Sequence, residues 1–175
     1  MCKTLETNLQ VIATRARQLD QENQDFKVFL RRIPSPTLDT LVATLNAEVE
    51  AQIDCTTCGN CCKHLHAAAL ETELPALAAY QQLSVEEFKT QFLTPYKEAF
   101  YFSVTPCPML QPDNRCGIYA QRPLSCQTFP NLTAPHFKYR FHLVMEKYPI
   151  CPIVFNVVEK LKSALGFKNA AQDLP

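Results

Sequence analysis

The chain has 175 residues, enough for one domain with a sizeable core, and its 47% hydrophobic and 19% charged content marks a globular protein rather than a disordered one. A formal net charge of zero and a pI near 6.9 argue against nucleic acid as the main partner, because phosphate binding calls for a surplus of clustered Lys and Arg. The first residues, Met1-Cys2-Lys3-Thr4-Leu5-Glu6, turn polar at once and lack the apolar core of a secretory signal, and no run approaches the length of a membrane helix. The expectation is a cytoplasmic protein away from membranes, whose nine cysteines stay reduced rather than forming disulfides.

Leu5, Leu9, Ile12, Ala13, Ala16 and Leu19 recur at helical spacing, and Phe26, Phe29 and Leu30 follow, which predicts one or two amphipathic helices over residues 4–31. Pro34-Ser35-Pro36 then interrupts the chain. Leu38, Leu41, Val42, Leu45, Val49 and Ile53 predict a further helix over 37–53. Beyond the cysteine segment at 55–62, residues 72–82 read as helical with Pro75 in the first turn. Ser84-Val85-Glu86-Glu87 reads as a capping box opening a helix through Leu93. Ala99 to Thr105, rich in aromatic and β-branched residues, suits a short strand, and Gln111-Pro112-Asp113-Asn114 has turn chemistry. Phe137, Tyr139, Phe141, Leu143 and Met145 alternate as in a strand, leaving that segment ambiguous. Ile153 to Leu165 reads as a final helix capped by Gly166. The expected fold is mainly α, with a few short strands and irregular loops around a metal. It is read as one domain: helices over 1–54, a cysteine region over 55–152, and a terminal helix over 153–175.

Four cysteines lie in Cys55-Thr56-Thr57-Cys58-Gly59-Asn60-Cys61-Cys62. A C-x2-C pair lets two thiolates converge on one metal from a tight loop, and the added x2-C-C extends the series as ferredoxin loops do. Two of the three glycines directly follow cysteines, at Cys58-Gly59 and Cys116-Gly117, where glycine permits positive φ and close backbone approach. Cys107-Pro108 and Cys151-Pro152 add the Cys-Pro pairing that also ends ferredoxin loops. Cys2 reads as a small buried hydrophobe or an exposed terminal residue and stands outside the candidate set. The candidate ligands, for metal and cofactor alike, are therefore Cys55, Cys58, Cys61, Cys62, Cys107, Cys116, Cys126 and Cys151.

These residues resemble the CxxCxxCC family, described as zinc- or iron-chelating and often labelled as Fe–S-cluster oxidoreductases. Its first motif matches Cys55, Cys58, Cys61 and Cys62. Its second block is similar to Cys107-Pro108-Met109-Leu110, then Cys116-Gly117-Ile118-Tyr119-Ala120-Gln121-Arg122-Pro123-Leu124-Ser125-Cys126, and Cys151-Pro152 fits the final position. The likeness covers roughly residues 55–152. One departure stands out: the family usually places Arg after the cysteine of the RP-x-x-C block, and here the residue is Gln127. The resemblance implies metal binding more directly than it implies a reaction. A related group, the flagellin lysine methylases, carries a similar cysteine cluster, but no motif here licenses that activity.

Thiolates suit both zinc and iron–sulfur clusters. Adjacent Cys61 and Cys62 do not easily both reach one small ion from a regular loop, which favours an iron–sulfur cluster over the zinc alternative. His64 and His66 flank the quartet as alternative ligands. Arg122 could offset thiolate charge or bond backbone carbonyls, and Tyr119 is expected in the core with a satisfied hydroxyl. Three function classes follow: a redox protein with a protein electron partner, a zinc-stabilised structural module, and a metal store or chaperone. The absence of a Ser–His–Asp set, a nucleotide loop and H-E-x-x-H disfavours hydrolysis and nucleotide chemistry.

Overall fold

The structure is a computed structural model that describes residues 4–168; Cys2 falls outside the described residues. The chain divides into two units, residues 1–53 with 130–175, and residues 54–129. Helices dominate both, with one small sheet, so the fold is mainly α as expected.

The first unit is helical. Asn8 opens α1 (Leu9–Gln18), its side-chain oxygen accepting the amides of Gln10 and Val11 at 3.0 and 3.2 Å. A break at Leu19 separates α1 from α2 (Asp20–Leu30), so the first segment forms two helices. α3 runs Ser35–Glu50 and starts earlier than the 37–53 expectation. Pro36 lies in its first turn, where a missing amide costs nothing, so the proline pair starts the helix as well as breaking the chain before it. The ambiguous 137–145 segment is helix α8 (Phe137–Lys147), not a strand. Phe137, Phe141 and Val144 are buried at i, i+4 and i+7, while Tyr139 and Leu143 are exposed. α9 (Pro152–Ala164) ends as predicted: Gly166 adopts φ +62° and the Phe167 amide reaches back to the Lys162 carbonyl at 2.9 Å.

α3 and α9 form the main packing pair of this unit, with Val42, Leu45 and Val49 from α3 and Val154, Val157, Val158 and Leu161 from α9 all buried. Lys162 is buried with them. Its ammonium bonds Glu22 at 2.7 Å and Glu159 at 2.8 Å, and Tyr148 donates its hydroxyl to Glu159 at 2.7 Å.

The second unit holds the cysteine segments. Its helices are α4 (Asn60–His64), α5 (Leu74–Tyr80), α6 (Val85–Phe92) and α7 (Leu124–Gln127). α6 carries the predicted capping box, with Ser84 Oγ accepting the Glu87 amide and Glu87 accepting the Ser84 amide. Strands β1 (Ala68–Leu70), β2 (Leu93–Tyr96) and β3 (Ala99–Phe102) form an antiparallel sheet in the order β1-β3-β2. One sheet face places Ala69, Leu93 and Phe102 in a small core with Leu74, Leu77, Ala78, Phe88, Met109 and Ile118. Cys107 and Cys116 pack against the edge of that core.

Candidate metal centre

Asp54 caps the first cysteine turn, its Oδ1 accepting the Thr56 amide at 2.9 Å and the Thr56 hydroxyl at 2.6 Å. The chain curls through Cys55–Thr57, and the Cys58 amide donates to the Cys55 carbonyl at 3.3 Å. Gly59, at φ +59°, reverses it into α4, which carries Cys61 and Cys62. A Cβ at Gly59 would lie 2.6 Å from the Asn114 carbonyl oxygen, so the glycine is required for close approach as well as for its conformation.

The second cysteine segment is bound directly to the first: the Cys107 amide donates to the Cys62 carbonyl at 2.8 Å. A β-bridge pairs Leu110 with Cys116, and the Gly117 amide donates to the Met109 carbonyl at 2.9 Å, which folds 107–117 into a hairpin. A Cβ at Gly117 would meet the ring and hydroxyl of the partly exposed Tyr80, which must turn aside for any side chain there. Cys126 rides on α7. Two hydrogen bonds hold that helix to the sheet end: the Leu124 amide to Glu73 at 2.7 Å and the Ser125 hydroxyl to the Ala68 carbonyl at 2.6 Å. Cys151 belongs to the helical unit, where it is buried at the start of α9, its amide donating to the Lys147 carbonyl at 2.9 Å.

The sulfurs of the second unit feel one another. Burial pushes the Cys107 thiol up to about 12, and Cys62, Cys126 and Cys116 push it the same way. Burial also raises Cys126, with Cys62 and Cys116 adding to the effect, and raises Cys116, with Cys62 adding to it. Cys62 is the exception. Its sulfur lies 3.9 Å from Cys61 Sγ, and this hydrogen bond brings its thiol down to about 7, with Arg122 helping against the cost of burial. Burial raises Cys55, which senses Cys58 and Arg122. Cys62, Cys107, Cys116 and Cys126 thus share one electrostatic neighbourhood. Among the described residues, no three His, Cys, Asp or Glu side chains stand already arranged around an ion. The donor chemistry nevertheless fits a thiophilic metal: several thiols gathered from three segments, desolvated together, with no disulfide among them.

A family model described as "CxxCxxCC: Putative zinc- or iron-chelating domain" matches residues 54–151. The chain belongs to the CxxCxxCC family. The matched span takes in all eight candidate cysteines, including Cys151 at its last position. No curated protein and no solved structure matches the chain.

Within the CxxCxxCC block, the structure revises the role read for Tyr119. It is not a core residue: it is 41% exposed, and the Arg122 guanidinium stacks on its ring at 3.9 Å. Gln127, which replaces the family's arginine, donates its side-chain amide to the Arg122 carbonyl at 2.7 Å. His66 Nδ1 lies 2.6 Å from the Phe102 carbonyl, which can only accept, so Nδ1 carries the proton and Nε2 is the nitrogen left for a ligand. His64 is exposed at the end of α4. An apolar groove of about 290 Å³ opens between β1 and α7, lined by Leu70 and Leu124 among others, but its lining contains no cysteine or histidine. Sequence reasoning missed Ser125 and Glu73, the residues that hold the Cys126 helix; their signal is tertiary and has no local pattern.

Proposed function

We propose that the chain carries an iron–sulfur cluster held by thiolates from Cys55, Cys58, Cys61, Cys62, Cys107, Cys116, Cys126 and Cys151, and passes single electrons to a protein partner. The observation that carries this reading is the shared neighbourhood of Cys62, Cys107, Cys116 and Cys126, anchored by the 2.8 Å bond from the Cys107 amide to the Cys62 carbonyl. The family's description supports zinc or iron chelation. The choice of iron–sulfur rests on the C-x2-C-x2-C-C spacing and the Cys-Gly and Cys-Pro neighbours. When bound, the cluster supplies one-electron chemistry. The chain's own work is to hold the sulfurs and to shield Cys107 and Cys126 partly from water.

One observation favours zinc as the second reading. Cys61 and Cys62 sit on a short helix rather than in a regular loop, with sulfurs 3.9 Å apart. Two thiolates on a tetrahedral zinc, each about 2.3 Å from the ion, are about 3.8 Å apart, so the adjacent pair suits a small ion too. Anaerobic purification followed by iron, zinc and acid-labile sulfide analysis separates the two. Brown protein with broad visible absorption and stoichiometric sulfide supports the cluster. Colourless protein with stoichiometric zinc refutes it in favour of the structural module.

A further inference from the structure

The cysteine segments of the second unit are attached in different ways. The 107–117 hairpin is bound to α4 backbone to backbone, through the Cys107 amide and the Cys62 carbonyl at 2.8 Å, and it buries Met109. α7, which carries Cys126, buries none of its four residues, although Pro123 just ahead of it is buried. A helix this short cannot satisfy its own first amides, so they need outside acceptors. The Leu124 amide finds one in Glu73, whose other carboxylate oxygen accepts the Leu70 amide; both bonds are 2.7 Å. One carboxylate thus ties α7 to the end of β1, and bonds of this charge-assisted kind are stronger than neutral ones. The Ser125 hydroxyl adds a second tie, to the Ala68 carbonyl at 2.6 Å. β1 is itself fixed to the quartet. It begins six residues after Cys62, and the link between them is pinned to β3: the Ala67 carbonyl accepts the Phe102 amide at 3.0 Å, and His66 Nδ1 donates to the Phe102 carbonyl at 2.6 Å. A residue that sets α7 against β1 therefore sets Cys126 against the segment carrying Cys61 and Cys62.

Glu73 stands apart from the other carboxylates around it. Glu71 and Glu86 share Lys89, and Glu87 caps its own helix, α6. Asp39 in the helical unit is the parallel case, its two oxygens accepting the His136 and Phe137 amides at the start of α8. But α8 buries Phe137, Phe141 and Val144, so packing sets its place and Asp39 only adds to it. At α7 no side chain of the helix packs inward, and the carboxylate is the principal tie. We propose that Glu73 is the positioning residue of Cys126: by bridging the Leu70 and Leu124 amides it holds α7 on β1 and so places this thiol at the metal site. The inference rests on the thiolate-metal reading above for the metal and on hydrogen-bond geometry for the placement, and its test reads the two separately.

Reduced wild type, Glu73→Ala, Glu73→Gln and Asp39→Ala are alkylated with N-ethylmaleimide, first without metal and then with Zn²⁺. Peptide mass spectrometry reads the rate at each cysteine, and far-UV circular dichroism checks folding. Without metal, Cys126 should react about tenfold faster in Glu73→Ala, the loss of one charge-assisted hydrogen bond, while Cys62 and Cys107 keep their wild-type rates. With zinc, protection of Cys126 should fall by a similar factor and that of Cys62 and Cys107 should hold. Glu73→Gln keeps one acceptor oxygen and should lie between; it replaces the Ala variant should that one misfold. Asp39→Ala should lower the melting temperature yet leave the Cys126 rate unchanged, which separates position from stability. An unchanged Cys126 rate in the Glu73 variants overturns the proposal. So does an equal rise at Cys62, Cys107 and Cys126, or a matching rise at Cys126 in Asp39→Ala, because either would mark a general role in folding. Zinc that protects Cys62 and Cys107 of the wild type but not Cys126 overturns it as well. Zinc that protects no cysteine of the wild type refutes the metal reading alone, since a rise confined to Cys126 without metal still supports the placement.

Discussion

Replacing Gly59 by Ala separates two costs that the structure lays on one residue. The backbone there has φ +59°, and the new Cβ would lie 2.6 Å from the Asn114 carbonyl oxygen and 3.0 Å from a Leu110 methyl. The conformation alone costs an L-residue about 1–2 kcal/mol. The clash is with backbone, which cannot swing aside, so the hairpin 107–117 must shift at a further cost of about 1–3 kcal/mol. The expected total is about 3 kcal/mol. Gly166 supplies the control, because it has φ +62° and a methyl added there would meet nothing within 4 Å. Gly166→Ala should therefore cost about 1 kcal/mol, the conformational part only. Gly59→Asn should fall between the two, since Asn tolerates the left-handed region but keeps the Cβ. Urea unfolding of the reduced, chelator-treated proteins gives each value, with helical signal as the probe. Equal costs for Gly59→Ala and Gly166→Ala would refute the close approach of α4's entry to the 107–117 hairpin.

Three further outcomes are expected. Lys162→Met removes the ammonium that Glu22 and Glu159 share and strands two partly buried carboxylates, so it should cost about 2–4 kcal/mol by denaturant unfolding; a loss below roughly 0.5 kcal/mol, the surface-pair value, would show the network to be dispensable. Metal binding should release protons, because burial holds Cys107, Cys116 and Cys126 as thiols above their ordinary range, whereas Cys62, near 7, is already largely thiolate at pH 8. Zinc affinity should then rise with pH, and where these four share one ion about three protons should be released per ion at pH 8 by calorimetry in buffers of different ionisation enthalpy and more below pH 7; fewer than about two at pH 8 would exclude these four as the ligands of one ion. Cys58→Ser and Cys151→Ser should each lower metal content and thermal stability while Cys2→Ser changes neither, and a metal content unchanged in Cys151→Ser would remove that residue from the ligands.

The fold was legible where periodicity and caps are local. The stripe from Leu38 to Val49 predicted α3, Ser84 and Glu87 predicted the start of α6, and Gly166 predicted the end of α9. What escaped is set by tertiary pairing. β2 and β3 join through Lys97-Glu98, with Lys97 at φ +54°, so the hairpin lacks the Asn-Gly or Asp-Gly signal that would announce it. β1 is Ala-Ala-Leu, which has little strand propensity, and it exists because β3 pairs with it and α7 packs on it. The alternation from Phe137 to Met145 left the segment open because it is satisfied equally by a strand face and by aromatic residues spread around a helix; burial of Phe137, Phe141 and Val144 decides for the helix. At the site, spacing named the quartet, and structure added how 107–117 and α7 are fastened beside it. Tyr119 was misplaced because a tyrosine's sequence context does not reveal whether a cation will take its face.

The two units differ in what holds them. The helical unit has long buried stripes on α3, α8 and α9, and its buried charge, Lys162, is paired. The cysteine unit has a core of nine buried residues under a three-stranded sheet whose strands are three or four residues long. The hairpin and the residue after it contribute Met109 and Ile118 to that core, α7 contributes no buried residue, and single hydrogen bonds fasten these segments at Cys107–Cys62, Gln81–Pro108, Leu124–Glu73 and Ser125–Ala68. Each such bond is worth only about 1 kcal/mol net. Desolvated neutral thiols add packing but no directional force, and any that ionise without a metal repel their neighbours. Metal ligation reverses the sign of that repulsion, turning the sulfurs from a destabilising cluster of like charges into cross-links between segments remote in sequence. The free energy of binding then appears as stability of this unit in particular. Chelation should accordingly loosen residues 54–129 before it affects α3 and α9, and hydrogen exchange resolved by segment reads that order directly. Uniform exchange in both units on metal removal would mean that the cysteine unit stands on its nine-residue core alone.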